Sequence, residues 1–217
     1  AFIFRGFDRS PERLALARRY AERAERLAPD NPYALLAYGV HQLSVVRDSA
    51  LAERILRRAV SLNPQHSMTQ RFLDESCWRQ TEYSSEELVK MVEETAARFP
   101  DDALNHYAVA RIYRNLGRPA EMEAALDRTL AIFPLTNAVI YKARLALVVR
   151  GDPAEMERLL NQVSDRMRNT ERVVVTHFQH ALFSRNYDAG IDSLQRFTSP
   201  WIEDNDYVGP KALLEAI

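Results

Sequence analysis

The sequence predicts an all-α chain built from repeated pairs of helices. The run Gly-Arg-Pro-Ala-Glu-Met-Glu at 117–123 returns as Gly-Asp-Pro-Ala-Glu-Met-Glu at 151–157, 34 residues later. Four prolines also close apolar helical stretches, at steps of 35, 36 and 34 residues: Pro29, Pro64, Pro100 and Pro134. A fixed period of this length is the signature of a stacked repeat array. Since each repeat buries its apolar face against its neighbours, we expect one domain over 1–217.

The unit at 102–135 illustrates how one repeat forms two helices. One face of its first helix carries residues at i, i+3, i+4 and i+7: His106, Val109, Ala110 and Tyr113. Gly117 ends this helix because glycine adopts the left-handed conformation without a Cβ penalty. Pro119 begins the second helix, at a position where its missing N–H is no loss.

The same pattern divides the whole chain into units. Their approximate bounds are 1–30, 31–65, 66–101, 102–135, 136–169 and 170–203, followed by the first helix of a further unit at 205–217. In the fifth unit, Asp152 is the expected N-cap, and Glu155 stands three residues later as in a capping box. Ser84 begins a helix in the same way, and Asn186 takes the place of the turn glycine in the sixth unit.

These helix pairs resemble the tetratricopeptide repeat (TPR) family, which places bulky, small and aromatic residues at fixed positions of each pair. The unit 32–64 carries this pattern through Leu35, Tyr38, Gly39, Ala52, Leu56, Ala59 and Pro64. Residues 14–29 resemble a second helix alone, and residues 67–100 carry the pattern least well. The resemblance covers nearly the whole chain and implies a right-handed superhelical solenoid of antiparallel helix pairs.

The resemblance also implies a binding surface, because TPR arrays present the first helix of each pair on a concave side. The first-helix positions left over from packing form what we call the predicted strip: Tyr33, Leu36, Val40, Leu104, Tyr107, Arg111, Arg114, Tyr141, Leu145, Arg172, Val175 and Gln179. Aromatic residues and arginine are enriched at binding hot spots. The alternative role of each residue is packing between hairpins. Some TPR proteins clamp a carboxylate with Lys and Asn, which the equivalent positions here lack.

Composition and charge disfavour two classes of function, nucleic-acid binding and membrane insertion. A net charge of −1, with 47% hydrophobic and 27% charged residues, fits a soluble folded chain and disfavours nucleic acid as a partner. No apolar run reaches the roughly 20 residues of a membrane-spanning helix, so we predict no membrane insertion. Because basic residues are almost all arginine, we expect a GC-rich bacterial genome. We also expect a cytoplasmic location and, since the chain begins without Met, a longer parent protein.

Candidate catalytic and metal-binding residues form weak patterns. His177 and His180 have a spacing that could hold a metal, but without a Cys or acidic partner they favour a packing or surface role. Cys77 is alone, which excludes an internal disulfide and favours an inert thiol over a nucleophile. The glycine patterns of phosphate-binding loops, dinucleotide sites and nucleophile elbows are missing. We therefore predict no enzyme activity, no cofactor and no metal.

The predicted function is non-catalytic protein–protein interaction, in which the concave groove binds a peptide or helix of a partner protein. Two alternatives stay open. One is a structural or oligomerisation module that acts through self-association. The other is a regulatory domain of a larger bacterial signalling protein, because residues 201–214, and 207–214 in particular, resemble the TPR portions of such proteins.

Overall fold

The computed structural model describes residues 10–198 and, for the backbone, two short strands at 201–203 and 208–210. Eleven α-helices lie within these described residues. In chain order they are α1 (Pro11–Leu27), α2 (Pro32–His41), α3 (Ser49–Leu62), α4 (Ser67–Trp78), α5 (Ser85–Arg98), α6 (Ala103–Asn115), α7 (Pro119–Ile132), α8 (Thr136–Arg150), α9 (Pro153–Leu160), α10 (Glu171–Phe183) and α11 (Tyr187–Gln195). A π-helical turn, Gln42–Val46, follows α2, and a 3-10 turn, Asp165–Met167, follows α9.

The chain forms two compact units, each larger than one sequence repeat, which divide between Ile112 and Tyr113. We call them the first unit and the second unit. In the first unit each helix from α1 to α4 packs against the next one in the chain. In the second unit α7 packs on α8, α8 on α9, α9 on α10 and α10 on α11, and α8 also contacts α10. Packing of sequential neighbours is typical of stacked helix pairs, so the predicted all-α repeat fold is confirmed. The prediction of a single domain stays a prediction.

The helices end and begin where the turn residues predict. Gly117 and Gly151 have φ angles of +65° and +63°, the left-handed conformation that ends a helix. Ser84 and Glu87 form a complete capping box, with bonds of 3.2 Å from the Glu87 N–H and 2.8 Å from the Ser84 N–H. Asp152 accepts from the Glu155 N–H at 2.9 Å. The expected second bond of that box is not made, because the Asp152 N–H donates to the Ala146 carbonyl at 3.0 Å, and the Glu155 carboxylate accepts from Arg158.

Leucines at the equivalent position of three second helices lie at the centre of the core. Leu56, Leu126 and Leu160 are at most 1% exposed, as the register predicts. Gly39 lets α2 approach α3 closely: a Cβ on Gly39 would lie 2.7 Å from Leu56 Cγ. The small residue Gly39 and the bulky residue Leu56 of the TPR pattern therefore mark a direct contact between two helices.

The chain after α11 differs from the prediction. Trp201–Glu203 (β1) and Val208–Pro210 (β2) pair as antiparallel strands, with Ile202 opposite Gly209. The predicted helix over 205–217 is thus wrong for 208–210. Glycine and proline are the two poorest residues in a helix interior, and Gly209-Pro210 places them together. Positions 204–207 and 211–217 lie outside the described residues.

Candidate partner-binding groove

A groove of about 340 Å³ lies between α4 and α6 in the first unit, with Val92 of α5 beside it. It contains three residues of the predicted strip: Leu104, Tyr107 and Arg111. The other described lining residues are Met68, Arg71, Phe72, Asp74, Glu75, Trp78 and Ala108. Apolar and aromatic side chains thus alternate with charged ones around a concave surface, and we call it the α4–α6 groove.

Sequence reasoning missed the α4 side of this groove. Met68, Arg71, Glu75 and Trp78 line it, and each lies 36 residues before a position on α6: 104, 107, 111 and 114. The step from Pro64 to Pro100 is also 36 residues, so this register was present in the sequence. The weak TPR pattern of residues 67–100 concealed it.

Arginine side chains engage both walls of the groove. The Arg111 guanidinium lies over the Trp78 ring, 4.7 Å from its centroid, which is the geometry of a cation–π contact. Arg71 donates to Asp102 Oδ2 at 3.1 Å and to Asn105 Oδ1 at 3.3 Å. Burial alone would raise the pKa of Asp102, but the hydrogen bond from Ser67 and the charge of Arg71 outweigh it and lower the pKa. These contacts hold Arg71 and Arg111 in place beside the apolar surface.

Asp74 is the most unusual charged group in the groove. It is 4% exposed, although Lys, Glu, Arg and Asp are almost never fully buried unless paired. Burial raises its pKa to about 6, against the opposing hydrogen bonds from Thr95 and Gln70. The Gln70 Nε2 donates to Asp74 Oδ1 at 3.1 Å. Asp74 therefore changes its charge close to physiological pH, where most aspartates are fully ionised.

The second unit brings three other residues of the predicted strip together. Tyr141 is 4% exposed, and the guanidinium groups of Arg114 and Arg172 lie 4.9 and 5.7 Å from its ring centroid. Arg114 also donates to the Tyr141 hydroxyl. Arg172 donates to Asn137 Oδ1 at 3.2 Å. The result is an arginine–tyrosine cluster drawn from α6, α8 and α10.

The remaining strip residues fall into two classes. Leu36, Val40, Leu145 and Val175 are at most 9% exposed, which is consistent with the packing role. Tyr33 is 57% exposed and its ring meets that of His66 edge-on at 5.1 Å, while Gln179 is half-buried. Their assignment to a partner site stays a prediction.

The surroundings of Cys77 favour an inert thiol, as the sequence predicts. Cys77 is buried, and burial raises the pKa of its thiol, which keeps it in the unreactive protonated form. Among the described residues, no three His, Cys, Asp or Glu side chains are grouped as a metal site would require. Within the same part of the chain, no helix has the length and apolar character needed to cross a membrane.

Comparisons with known proteins establish the fold. No family model and no curated protein sequence matches this chain. Similar solved structures include a chain of the APC/C hetero-tetramer Cut9–Hcn1 (TM-score 0.65, 15% identity), PilF of Pseudomonas aeruginosa (0.64, 13%) and YrrB, described as a TPR protein with an unusual peptide-binding site (0.52, 13%).

The matches cover 84%, 84% and 81% of this chain, in the same order. The chain spans 36% of the Cut9–Hcn1 chain, 87% of PilF and 89% of YrrB. At these low identities the likeness defines the fold. The chain has a TPR-like repeat fold.

Proposed function

We propose that this chain is a non-catalytic protein-interaction module, which binds a peptide or helix of a partner protein. The α4–α6 groove is the proposed binding site for this peptide or helix. The observation that carries the proposal is the convergence of α4 and α6 residues at one register on a single concave surface. YrrB, which shares the fold, is described as having a peptide-binding site.

The size and lining of the groove favour a partner with an apolar anchor residue. Its volume of about 340 Å³ lies at the lower end of the range for ligand sites, roughly 300–1,000 Å³. Met68 and Leu104 are 37% and 40% exposed, so both offer apolar surface to a ligand. Trp78, Tyr107 and Arg111 are of the types that dominate binding hot spots. We infer a ligand segment that inserts an aliphatic or aromatic side chain and carries charged residues beside it.

The charged groups of the groove favour binding over catalysis. Perturbed pKa values often mark catalytic sites, but the raised pKa of Asp74 follows from burial. Two other charged side chains of the groove already pair with charged residues beside it: Arg71 with Asp102, and Glu75 with Arg79 at 2.8 Å. Such pairs fix the shape and charge pattern of the surface, which serves specificity.

A selected peptide tests the proposal. A peptide that binds the chain is isolated from a displayed random library, and its affinity is measured by fluorescence anisotropy. The double variant Met68→Glu/Leu104→Glu places two charges on the apolar surface and is expected to weaken binding at least about tenfold. The matched control is Val46→Glu/Leu62→Glu, since both residues are exposed (54% and 46%) and neither lines the groove.

The control separates the groove from the rest of the surface. Full affinity in the control and loss in the groove variant support the proposal. Equal affinity in both variants places the ligand elsewhere and overturns it. Light scattering on the same proteins tests self-association. If the unchanged chain is a dimer and the groove variant is a monomer, an oligomerisation module is favoured.

A further inference from the structure

A polar cleft in the second unit lies apart from the predicted strip. It runs between α9, α10 and α11 as two adjoining cavities of about 160 and 210 Å³. Both are lined by Leu160, Asn161, His177, Ser193 and Arg196. The first also has Arg168, and the second has His180 and Glu157. The two histidines of the sequence analysis thus lie in one cleft with two arginines.

The electrostatic character of the cleft is positive. Burial lowers the pKa of His177, and the positive charges of His180, Arg196 and Arg168 lower it further. Glu157 is the one carboxylate among the described lining residues, and it opposes this effect. An imidazole surrounded in this way gains from the arrival of an anion, because the anion offsets the charge that disfavours protonation.

We propose that this cleft binds the phosphoryl group of a small ligand, as free phosphate or as a phosphate monoester. Arg168 and Arg196 supply guanidinium groups, which pair with phosphate oxygens through two parallel N–H bonds. His177 supplies a third donor when protonated, and Asn161 supplies amide hydrogens. The cavities are smaller than typical ligand sites, which matches a compact tetrahedral group rather than a large molecule.

Existing hydrogen bonds define which groups are donors to the anion. Ser193 Oγ donates to the Gly190 carbonyl at 2.8 Å, so its proton is already used. His180 Nε2 lies 3.1 Å from the Pro153 carbonyl, which fixes a proton on that nitrogen and orients the ring. Arg168 Nε lies 3.1 Å from Asp165, a carboxylate outside the cleft lining. The anion must compete with this exposed ion pair, and surface pairs are weak.

Phosphate binding is measured by NMR. Sodium phosphate is titrated into the isotope-labelled chain at constant ionic strength, with chloride as the reference salt. Saturable shifts at Asn161, His177, Ser193 and Arg196 are expected. Arg196→Gln should weaken phosphate affinity about tenfold, the loss expected from removing one charge-assisted hydrogen bond. Arg166→Gln is the matched control, because Arg166 is exposed in the same unit and lines neither cavity.

A second readout follows the His177 imidazole directly. Bound phosphate should raise the pKa of His177, and Arg196→Gln should reduce this response. The groups that face His177 are Glu157 on α9, Arg168 after α9, His180 on α10 and Arg196 after α11. Arg168→Gln provides an independent variant if Arg196→Gln alters the circular dichroism spectrum.

The outcomes are distinct. Equal affinity in Arg196→Gln, Arg166→Gln and the unchanged chain, or shifts that never saturate, would show general salt effects and overturn the proposal. Glycerol 2-phosphate distinguishes the two sources of the phosphoryl group. Binding of both compounds assigns the cleft to monoesters, and binding of phosphate alone assigns it to the free anion.

Discussion

Replacing Asp74 with asparagine is expected to stabilise the first unit at neutral pH. The Asp74 carboxyl has a pKa of about 6 in the folded chain, against an ordinary value of 3.8. The folded state therefore binds more protons than the unfolded state between these two values. Its stability is highest below the unfolded pKa and falls as the pH rises through the folded pKa.

The magnitude follows from the two pKa values. They differ by about 2, which corresponds to roughly 3 kcal/mol of destabilisation once Asp74 is ionised. Asparagine has nearly the same shape, keeps an oxygen that accepts from Gln70, and carries no charge. Its amide hydrogens need an acceptor, which offsets part of the gain, so we expect a net stabilisation of about 1–3 kcal/mol.

Urea denaturation followed by circular dichroism measures this difference across the pH range. The gap between the variant and the unchanged chain should be largest above about pH 7 and smallest near pH 4. A variant that is less stable at neutral pH, or a gap that does not depend on pH, would refute the reasoning. Hydrogen exchange at α4 amides locates the change in the first unit.

Asp102→Asn is the control, since Asp102 is an aspartate of the same unit with a pKa shifted the other way. Its pKa is lowered, because the hydrogen bond from Ser67 and the charge of Arg71 outweigh burial. It therefore stabilises the fold above its unfolded pKa, and this contribution is lost as the pH falls through the folded pKa. Asp102→Asn should destabilise the chain at neutral pH, and an equal effect at low pH would contradict the assignment.

The remaining predictions concern packing and turns, and urea denaturation measures each of them. Gly39→Ala should cost roughly 1–3 kcal/mol because the new Cβ would lie 2.7 Å from Leu56 Cγ; an unchanged midpoint would mean that Leu56 shifts freely. Gly117→Ala meets no atom within 4 Å but keeps φ at +65°, so we expect a cost of about 1–2 kcal/mol from the backbone alone. Leu126→Ala should cost roughly 2–5 kcal/mol, since Leu126 is fully buried; fast hydrogen exchange around this leucine would contradict the repeat register. Asp152→Ala should cost about 1 kcal/mol through loss of the N-cap bond, and no change would show that water replaces it.

Local rules were enough to predict the helix boundaries. Gly117 and Gly151 end their helices in the left-handed conformation, and Pro119 and Pro153 begin the next ones. These turns depend on the conformational limits of single residues, which a sequence states directly. The same limits exclude a helix through Gly209-Pro210, so these two residues outweigh the repeat pattern there.

Side-chain networks were less accessible to sequence reasoning. The two arginines on the Tyr141 ring come from helices α6 and α10, on either side of α8 in the chain. The cleft with His177 also depends on Arg168 and Arg196, which precede and follow α10 and lie in no shared pattern. The repeat register predicted Arg114, Tyr141 and Arg172 on one surface, but their ring contacts depend on how the helices pack. The cleft also arises from helix packing, so no spacing along one helix indicated it.

The repeat with the weakest TPR pattern, 67–100, contributes three of the four charged residues among the described lining of the candidate groove, and this suggests one more test. Asp74 lies 36 residues before Ala110, a small and fully buried residue of the next repeat, so regular packing would favour a small apolar side chain there. A buried ionised aspartate destabilises the fold. Sequences break such rules most often at functional sites. If Asp74 contributes to ligand binding, Asp74→Asn should stabilise the chain and also lower its affinity for the selected peptide. This is the usual conflict between stability and function. If the variant gains stability and keeps full affinity, Asp74 belongs to the packing of α4 against α5, and recognition rests on the apolar and arginine residues around it.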